Sequence, residues 1–235
     1  MKQKIVFDIG MNNGDDTEYY LKLGLRVVAI EANPLLTAQC AIRFATQIKD
    51  GHLVILNKAI STENNLTKFY INNDNNHWSS SNKELAVRSN SSIQEINIET
   101  LDIASIIDSN MNLYYIKIDI EGADITVLEQ LSHAKLLPKY LSIEDCYLGP
   151  KYILNLKKLG YSKFKLSDQS KVCDMETQIN GFSFNLGSSG PFGPLLNGPW
   201  YDYEDFILVY GNKVRGPDLK RIAPLPTWWD IHCSA

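Results

Sequence analysis

The sequence predicts an α/β fold built on a doubly wound, mostly parallel sheet. Three observations lead there. Short runs of β-branched and aromatic residues alternate with helix-length segments. The runs are rich in β-branched and aromatic residues and lack the polar alternation of a half-exposed strand, as strands covered by helices on both faces do. The first run feeds through a glycine-bounded loop into a helix and then a second run ending in an acid, the outline of a β-α-β unit that binds ligands at its strand ends. With 235 residues, 44% of them hydrophobic, one large domain is expected rather than two small ones.

The expected strands are Ile5–Ile9, residues 27–30, Leu53–Leu56, residues 114–120, Tyr140–Glu144 and residues 206–210. Helices are expected at 16–23, which stops at Gly24, and at 35–50, which follows Pro34. Two more are expected at 123–131 and at 151–159, the latter ending at Gly160. Two segments break the rhythm. Residues 61–95 are polar and rich in Asn and Ser, and read either as a mobile surface insertion or as a lid or substrate loop. Residues 180–206 hold too much Gly and Pro for a helix and read as an ordered loop before the last strand. The domain is accordingly placed at 1–211, with an insertion at 61–100. Residues 212–235, with Trp228 and Trp229 behind a Pro-rich stretch, are expected to dock on it as a tail, at a place compatible with a homodimer contact.

The formal net charge is −4 and no Lys/Arg run forms a basic stripe, so nucleic acid is not an expected partner. Four cysteines stand far apart without a CxxC pair, which suits a reducing, cytoplasmic setting better than a disulfide framework or zinc ribbon. The four histidines also lack ligand-like spacing, which speaks against zinc. No apolar h-region precedes the first strand, and no apolar stretch approaches the length of a membrane span.

The loop after the first strand reads Gly10-Met11-Asn12-Asn13-Gly14-Asp15-Asp16. A dinucleotide fingerprint would carry a third glycine where Asn12 stands, and a pyrophosphate would not favour two carboxylates at the helix start. Glu31, ending the second strand, is placed to accept hydrogen bonds from ribose hydroxyls. A ligand with a ribose, no phosphate and a positive charge fits this loop, and S-adenosylmethionine is such a ligand.

The stretch FDIGMNNGDDT resembles the first loop of the FkbM family of S-adenosylmethionine-dependent methyltransferases. A second stretch, INIETLD followed by YYIKIDIEGADITVLEQL, is similar to that family's other motif, and SGPFG before Trp200 is similar to a loop found in many members. Asn13 and Asp124 depart from the usual pattern. The resemblance implies a seven-stranded sheet with an antiparallel last strand, here assigned to 161–168 pairing with 204–211. It also implies methylation of hydroxyl oxygens, often on carbohydrates or glycosylated small molecules.

Taken with the resemblance, position assigns Asp8 and Gly10 to the methionine part of the cofactor, and Asn12, Gly14 and Thr17 to the loop around it. Glu31 is assigned to the ribose, and Asn33, Asn57 and Ala59 to the adenine. Lys117, Asp119 and Glu121 alternate along the fourth strand and so share one side of the pleat. Asp119 is counted with the cofactor-binding residues, beside the expected methyl group, and Asp119 and Glu121 are the candidates for holding the acceptor hydroxyl and taking its proton, with His77 as the alternative base. Glu121 also has a plain reading as an N-cap partner of the next helix, and Lys117 as an internal salt bridge. Asp119, Glu144 and Asp145 are a candidate Mg²⁺ set, although a metal is not favoured. Phe192, Trp200, Tyr201 and Tyr203 offer flat surfaces to a sugar, or simply core packing. Two rival readings stand beside an O-methyltransferase: a nucleotide-sugar or NAD enzyme on a similar sheet, and a non-catalytic partner subunit that has kept the cofactor fold.

Overall fold

A computed structural model describes residues 2–62 and 65–235. In chain order the elements are β1 (Ile5–Ile9), α1 (Asp15–Lys22), β2 (Arg26–Ile30), α2 (Pro34–Arg43), α3 (Ala45–Lys49), β3 (Leu53–Leu56), β4 (Ala59–Ile60) and β5 (Leu66–Asn72). There follow α4 (Lys83–Ala86), β6 (Ile93–Leu101), β7 (Leu113–Ile118), α5 (Asp124–Leu131), β8 (Tyr140–Glu144), α6 (Gly149–Lys158), β9 (Lys163–Asp168), α7 (Tyr203–Lys213) and β10 (Trp229–Ser234).

Seven strands form one sheet in the order β3-β2-β1-β7-β8-β10-β9. β1 runs parallel to β2 and β7, β2 to β3, and β7 to β8. β10 alone lies antiparallel, between β8 and β9. The direction of strand addition reverses between β1 and β7, where ligands bind in such sheets. One large core joins β7, β8 and β10 to α5, α6 and α7, and a second packs α1 and α2 with Phe184 and Phe192 against β1, β2 and Tyr115.

The doubly wound reading and the antiparallel strand near the sheet's edge hold, but the residues assigned to that strand do not. Residues 206–210 lie in helix α7, not in a strand. Phe206 and Tyr210 are buried one helical turn apart and Leu208 is 65% exposed, a helical period that a five-residue apolar run does not reveal. The antiparallel strand comes instead from 229–234, so the segment expected to dock as a tail is threaded through the sheet, with Ile231 and Cys233 fully buried. The helix expected at 35–50 divides at Phe44 into α2 and α3.

The polar insertion is also more ordered than its composition suggests. β5 and β6 pair antiparallel from Leu66↔Glu99 to Asn72↔Ile93, and β4 joins β6 in a second, three-stranded sheet. Asn72, fully buried, holds the end of this hairpin. Its side chain donates to the Ala86 carbonyl (2.8 Å) and Ser91 Oγ (2.6 Å) and accepts from the amides of Asp74 and Asn75.

If residues 229–234 are a core strand, Ile231→Ala should destabilise the protein by about 2–5 kcal/mol, as truncation of a fully buried aliphatic side chain does. Urea unfolding would show this, and a loss under about 1 kcal/mol would mean that the segment is peripheral.

Candidate active site

A cavity of about 410 Å³ opens over the carboxyl ends of β1, β2, β7 and β8, at the reversal of strand order. Its floor comes from the first loop. Gly10 has φ +87°, and a Cβ there would stand 1.8 Å from the Asp119 carbonyl oxygen, so only glycine lets β1 and β7 close together at this point. The amides of Gly10 and Met11 donate to the Ile30 carbonyl, and the Asn12 amide donates to Glu31 Oε2 (2.8 Å). Glu31 Oε1 accepts from the Asn33 amide (2.7 Å). Two backbone donors thus aim the Glu31 carboxylate, and each oxygen retains a lone pair. Burial raises the Glu31 pKa, and these bonds oppose the rise.

Beneath the loop lies Lys117, 3% exposed. Its ammonium donates to the Gly10 carbonyl (2.7 Å) and stands 3.5 Å from Asp8, 3.6 Å from Asp119 and 3.8 Å from Asp16. Burial alone would pull this lysine's pKa down, but Asp8, Asp119 and Asp16 outweigh it and hold it above the usual range. Burial raises Asp8, and Asp16 is pushed up to about 6, with Lys117 working against both shifts. Asp8 also accepts from Thr17 Oγ1 (2.5 Å). Asp16 accepts from the Ser189 amide (2.9 Å) and Asp15 from Asn185 Nδ2 (2.9 Å). The two acids at the start of α1 therefore hold the 185–189 loop along one side of the cavity.

At the far end stand Asp119, Glu121, Glu144 and Asp230. Strand β7 stops at Ile118, so Glu121 sits in the following turn with φ +51° and not on the pleat. It forms an ion pair with Arg88, and its carbonyl accepts from Ser80 Oγ (2.7 Å), which ties the hairpin insertion to this turn. Burial pushes Glu121 up to about 7 although Arg88 opposes it, and raises Glu144 and Asp230 strongly. Glu121 does not serve as an N-cap partner: Ala123 stands at the N-cap of α5 without a side-chain cap, and Asp124, in the first turn, accepts from the amides of Ile120 and Gly122 in the preceding turn and is pushed up to about 6 by burial.

Of the predicted residues, Gly10, Asn12, Glu31, Ala59, His77, Asp119, Glu121 and Glu144 line the cavity. Asp8 and Thr17 lie under its floor. Gly14 packs against Phe44 and Cys40 instead of facing the cavity. Asn33 caps α2, and Asn57 donates to the Glu31 and Ala32 carbonyls, so neither lines the place expected for a base. The expected carboxylate trio is not the one assembled. Asp145 turns away to Arg215 and Tyr210, while Asp119, Glu121 and Glu144 bring oxygens within 4.8 Å of one another. Phe192 is buried against Tyr115, not displayed to a ligand. Trp200, Tyr201 and Tyr203 also stand away from the cavity wall.

Trp78, Ser79 and Ser81, which the lid reading of the insertion places over the site beside His77, line the cavity as well, whereas sequence reasoning missed Phe69, Arg88, Gln169, Ser188, Trp228 and Asp230. A terminal run reading WWDIHCS carries a strand signal that could have placed Asp230; Arg88 carries none.

The chain belongs to the methyltransferase FkbM domain family, whose profile matches residues 8–163. Comparison with curated protein sequences finds no match. Among solved structures it is similar to an S-adenosylmethionine-dependent methyltransferase from Archaeoglobus fulgidus, with 14% identity, TM-score 0.43 and coverage of 99% of this chain and 86% of that one. It is likewise similar to precorrin-6y C5,15-methyltransferase from Geobacter metallireducens (9%, 0.42, 99% and 80%). A Thiobacillus denitrificans methyltransferase in complex with S-adenosylhomocysteine gives 10%, 0.42, 99% and 85%. No helix among the described residues is long and apolar enough to cross a membrane.

Two predictions follow from the charge arrangement. Asp16, Glu121 and Asp124 have folded pKa values near 6, 7 and 6, above those of an unfolded chain, so the native state binds more protons between about pH 4 and 7. Their contribution to stability is full below about pH 4 and is lost as pH rises through 6 to 7. Replacing Lys117 by Met should cost about 3–5 kcal/mol at pH 8, because buried carboxylates are left unpaired. The deficit should shrink at pH 5, where those acids take up protons. Urea unfolding of both proteins at the two pH values tests this, and a pH-independent deficit would show that Lys117 does not neutralise them.

Proposed function

We propose that this protein binds S-adenosylmethionine and transfers its methyl group to a hydroxyl of a carbohydrate or glycosylated small molecule. The observation that carries the reading is Glu31: a carboxylate at the end of β2, aimed by two backbone amides, lining a cavity beside Gly10. Such a group accepts hydrogen bonds from a ribose diol. The start of α1 carries Asp15, Asp16 and Glu18 and offers no cradle for a pyrophosphate, which disfavours NAD and nucleotide sugars.

In this reading Glu31 holds the ribose, and Asp8, fixed by Thr17 and Lys117, supports the loop that meets the methionine part. Bound S-adenosylmethionine supplies an electrophilic methyl group on a sulfonium. Asp119 and Glu121 stand at the carboxyl end of β7, where one holds the acceptor hydroxyl in line and one accepts its proton. Glu121 suits the second task, since a pKa raised to about 7 makes its carboxylate a stronger base than an ordinary one while a sizeable fraction stays ionised at neutral pH. His77 is the alternative base. Trp78, Arg88 and Trp228 form walls that limit water around the reacting atoms.

Calorimetric titration tests this. Wild type should bind S-adenosylmethionine and S-adenosylhomocysteine but not NAD. Glu31→Ala should weaken both methyl-cycle ligands roughly tenfold or more, the loss typical of a charge-assisted hydrogen bond. Asp119→Asn should keep cofactor affinity within a few-fold and lose turnover in a screen of sugar acceptors. Absence of heat with either ligand would overturn the reading.

A further inference from the structure

The inserted hairpin reaches beyond the acceptor side of the cavity. Strand order places the ends of β7 and β8 on one side of Glu31 and the segment after β3 on the other, so the lining divides into two regions. One side carries Asp119, Glu121 and Glu144, and the other carries Ala32, Ala59, Ile60 and Phe69. Phe69 comes from β5, in the insertion, and packs with Ala59 and Ile98 in a small cluster apart from the two main cores, with Ala32 against it. It is 7% exposed and still lines the cavity. The two asparagines expected at the base are engaged elsewhere, Asn33 capping α2 and Asn57 bonding backbone carbonyls, and Lys58, which lines the cavity next to Ala59, is ion-paired with Glu99.

We propose that Phe69 forms the adenine-binding wall of the cofactor site, so that a residue of the insertion, and not only the α/β core, recognises the cofactor. This rests on the methyltransferase reading above. A ribose held at Glu31 places its base on one flank or the other. The acidic flank would set a flat heteroaromatic ring among carboxylates, whereas the Ala32–Ala59–Phe69 flank offers apolar surface and an aromatic ring. The same hairpin carries His77, Trp78 and Arg88 on the acceptor side. A base seated on Phe69 therefore touches the element that shapes the acceptor wall.

The test compares S-adenosylhomocysteine with S-ribosylhomocysteine, which lacks the base, by calorimetry on wild type, Phe69→Ala and Phe69→Leu. The leucine variant keeps apolar contact with Ala59 and Ile98 and removes only the ring, so its thermal midpoint should stay near that of wild type. Both variants should weaken S-adenosylhomocysteine roughly 5- to 30-fold, the lower part of the range for a base stacked on an aromatic ring, and leave S-ribosylhomocysteine within twofold. Unchanged affinity for S-adenosylhomocysteine in both variants would overturn the assignment of Phe69 alone. Equal weakening of both ligands would overturn it as well, since that pattern belongs to a collapsed hairpin. If wild type binds no S-adenosylhomocysteine, the methyltransferase reading falls and this proposal with it.

Discussion

The ammonium of Lys117 stands on the central strand β7, closed off from water, with Asp8, Asp16 and Asp119 around it and the Gly10 carbonyl bound to it. Each of these partners controls a different part of the site. Asp8 lies under the first loop, Gly10 forms its turn, Asp16 anchors the 185–189 loop through Ser189, and Asp119 opens the acidic end of the cavity. Desolvating three carboxylates near one another is costly, and a single buried cation makes the arrangement tolerable. Close approach of β1 and β7 is the other half of the constraint, and Gly10 supplies it.

This polar centre continues sideways. Strand register sets Asp8 beside Lys117, Lys117 beside Ser142, Ser142 beside His232 and His232 beside Lys165, a row across five strands. Ser142 Oγ shares a hydrogen bond with Tyr115 (2.6 Å), and Lys165 donates to the Leu196 carbonyl (2.6 Å). His232, pushed down to about 3 by burial and then by Lys165, is held neutral. Two strand positions closer to the cavity, Glu144 pairs with Asp230, so the buried row leads up to the acidic end of the site.

Two long-range pieces complete the cavity. The hairpin of β5 and β6 brings Phe69, His77, Trp78 and Arg88, and is fixed by Ser80 and Arg88 to the turn at Glu121. The 185–189 loop closes from the opposite side, where Gly187, at φ +92°, passes so near His77 that a Cβ would meet its ring at 2.9 Å. Both pieces are polar and irregular in sequence, yet each is held by specific hydrogen bonds from the core, so neither behaves as a free surface loop.

By itself the sequence determined the β-α-β unit and its ligand end. Gly10, Glu31 and the Asp119–Glu121 pair lie in two short stretches whose local pattern already dictates turn, strand end and acid, because backbone conformation over a few residues is set by local sterics. It did not determine which apolar run becomes the last strand. The run at 206–210 (FILVY) is apolar throughout and reads more like a strand than 229–234 (WDIHCS), which mixes Trp229, Ile231 and Cys233 with polar residues, yet tertiary packing makes the first a helix and sets the second between β8 and β9. Nor could it separate Asp145 from Glu144: Glu144 ends β8 and reaches the cavity, whereas Asp145, one residue past the strand, turns to Arg215, a partner 70 residues away. Phe69, Arg88 and Asp230 reach the site from distant parts of the chain, and their presence there was decided by the tertiary structure, because long-range register and docking have no local pattern in the sequence.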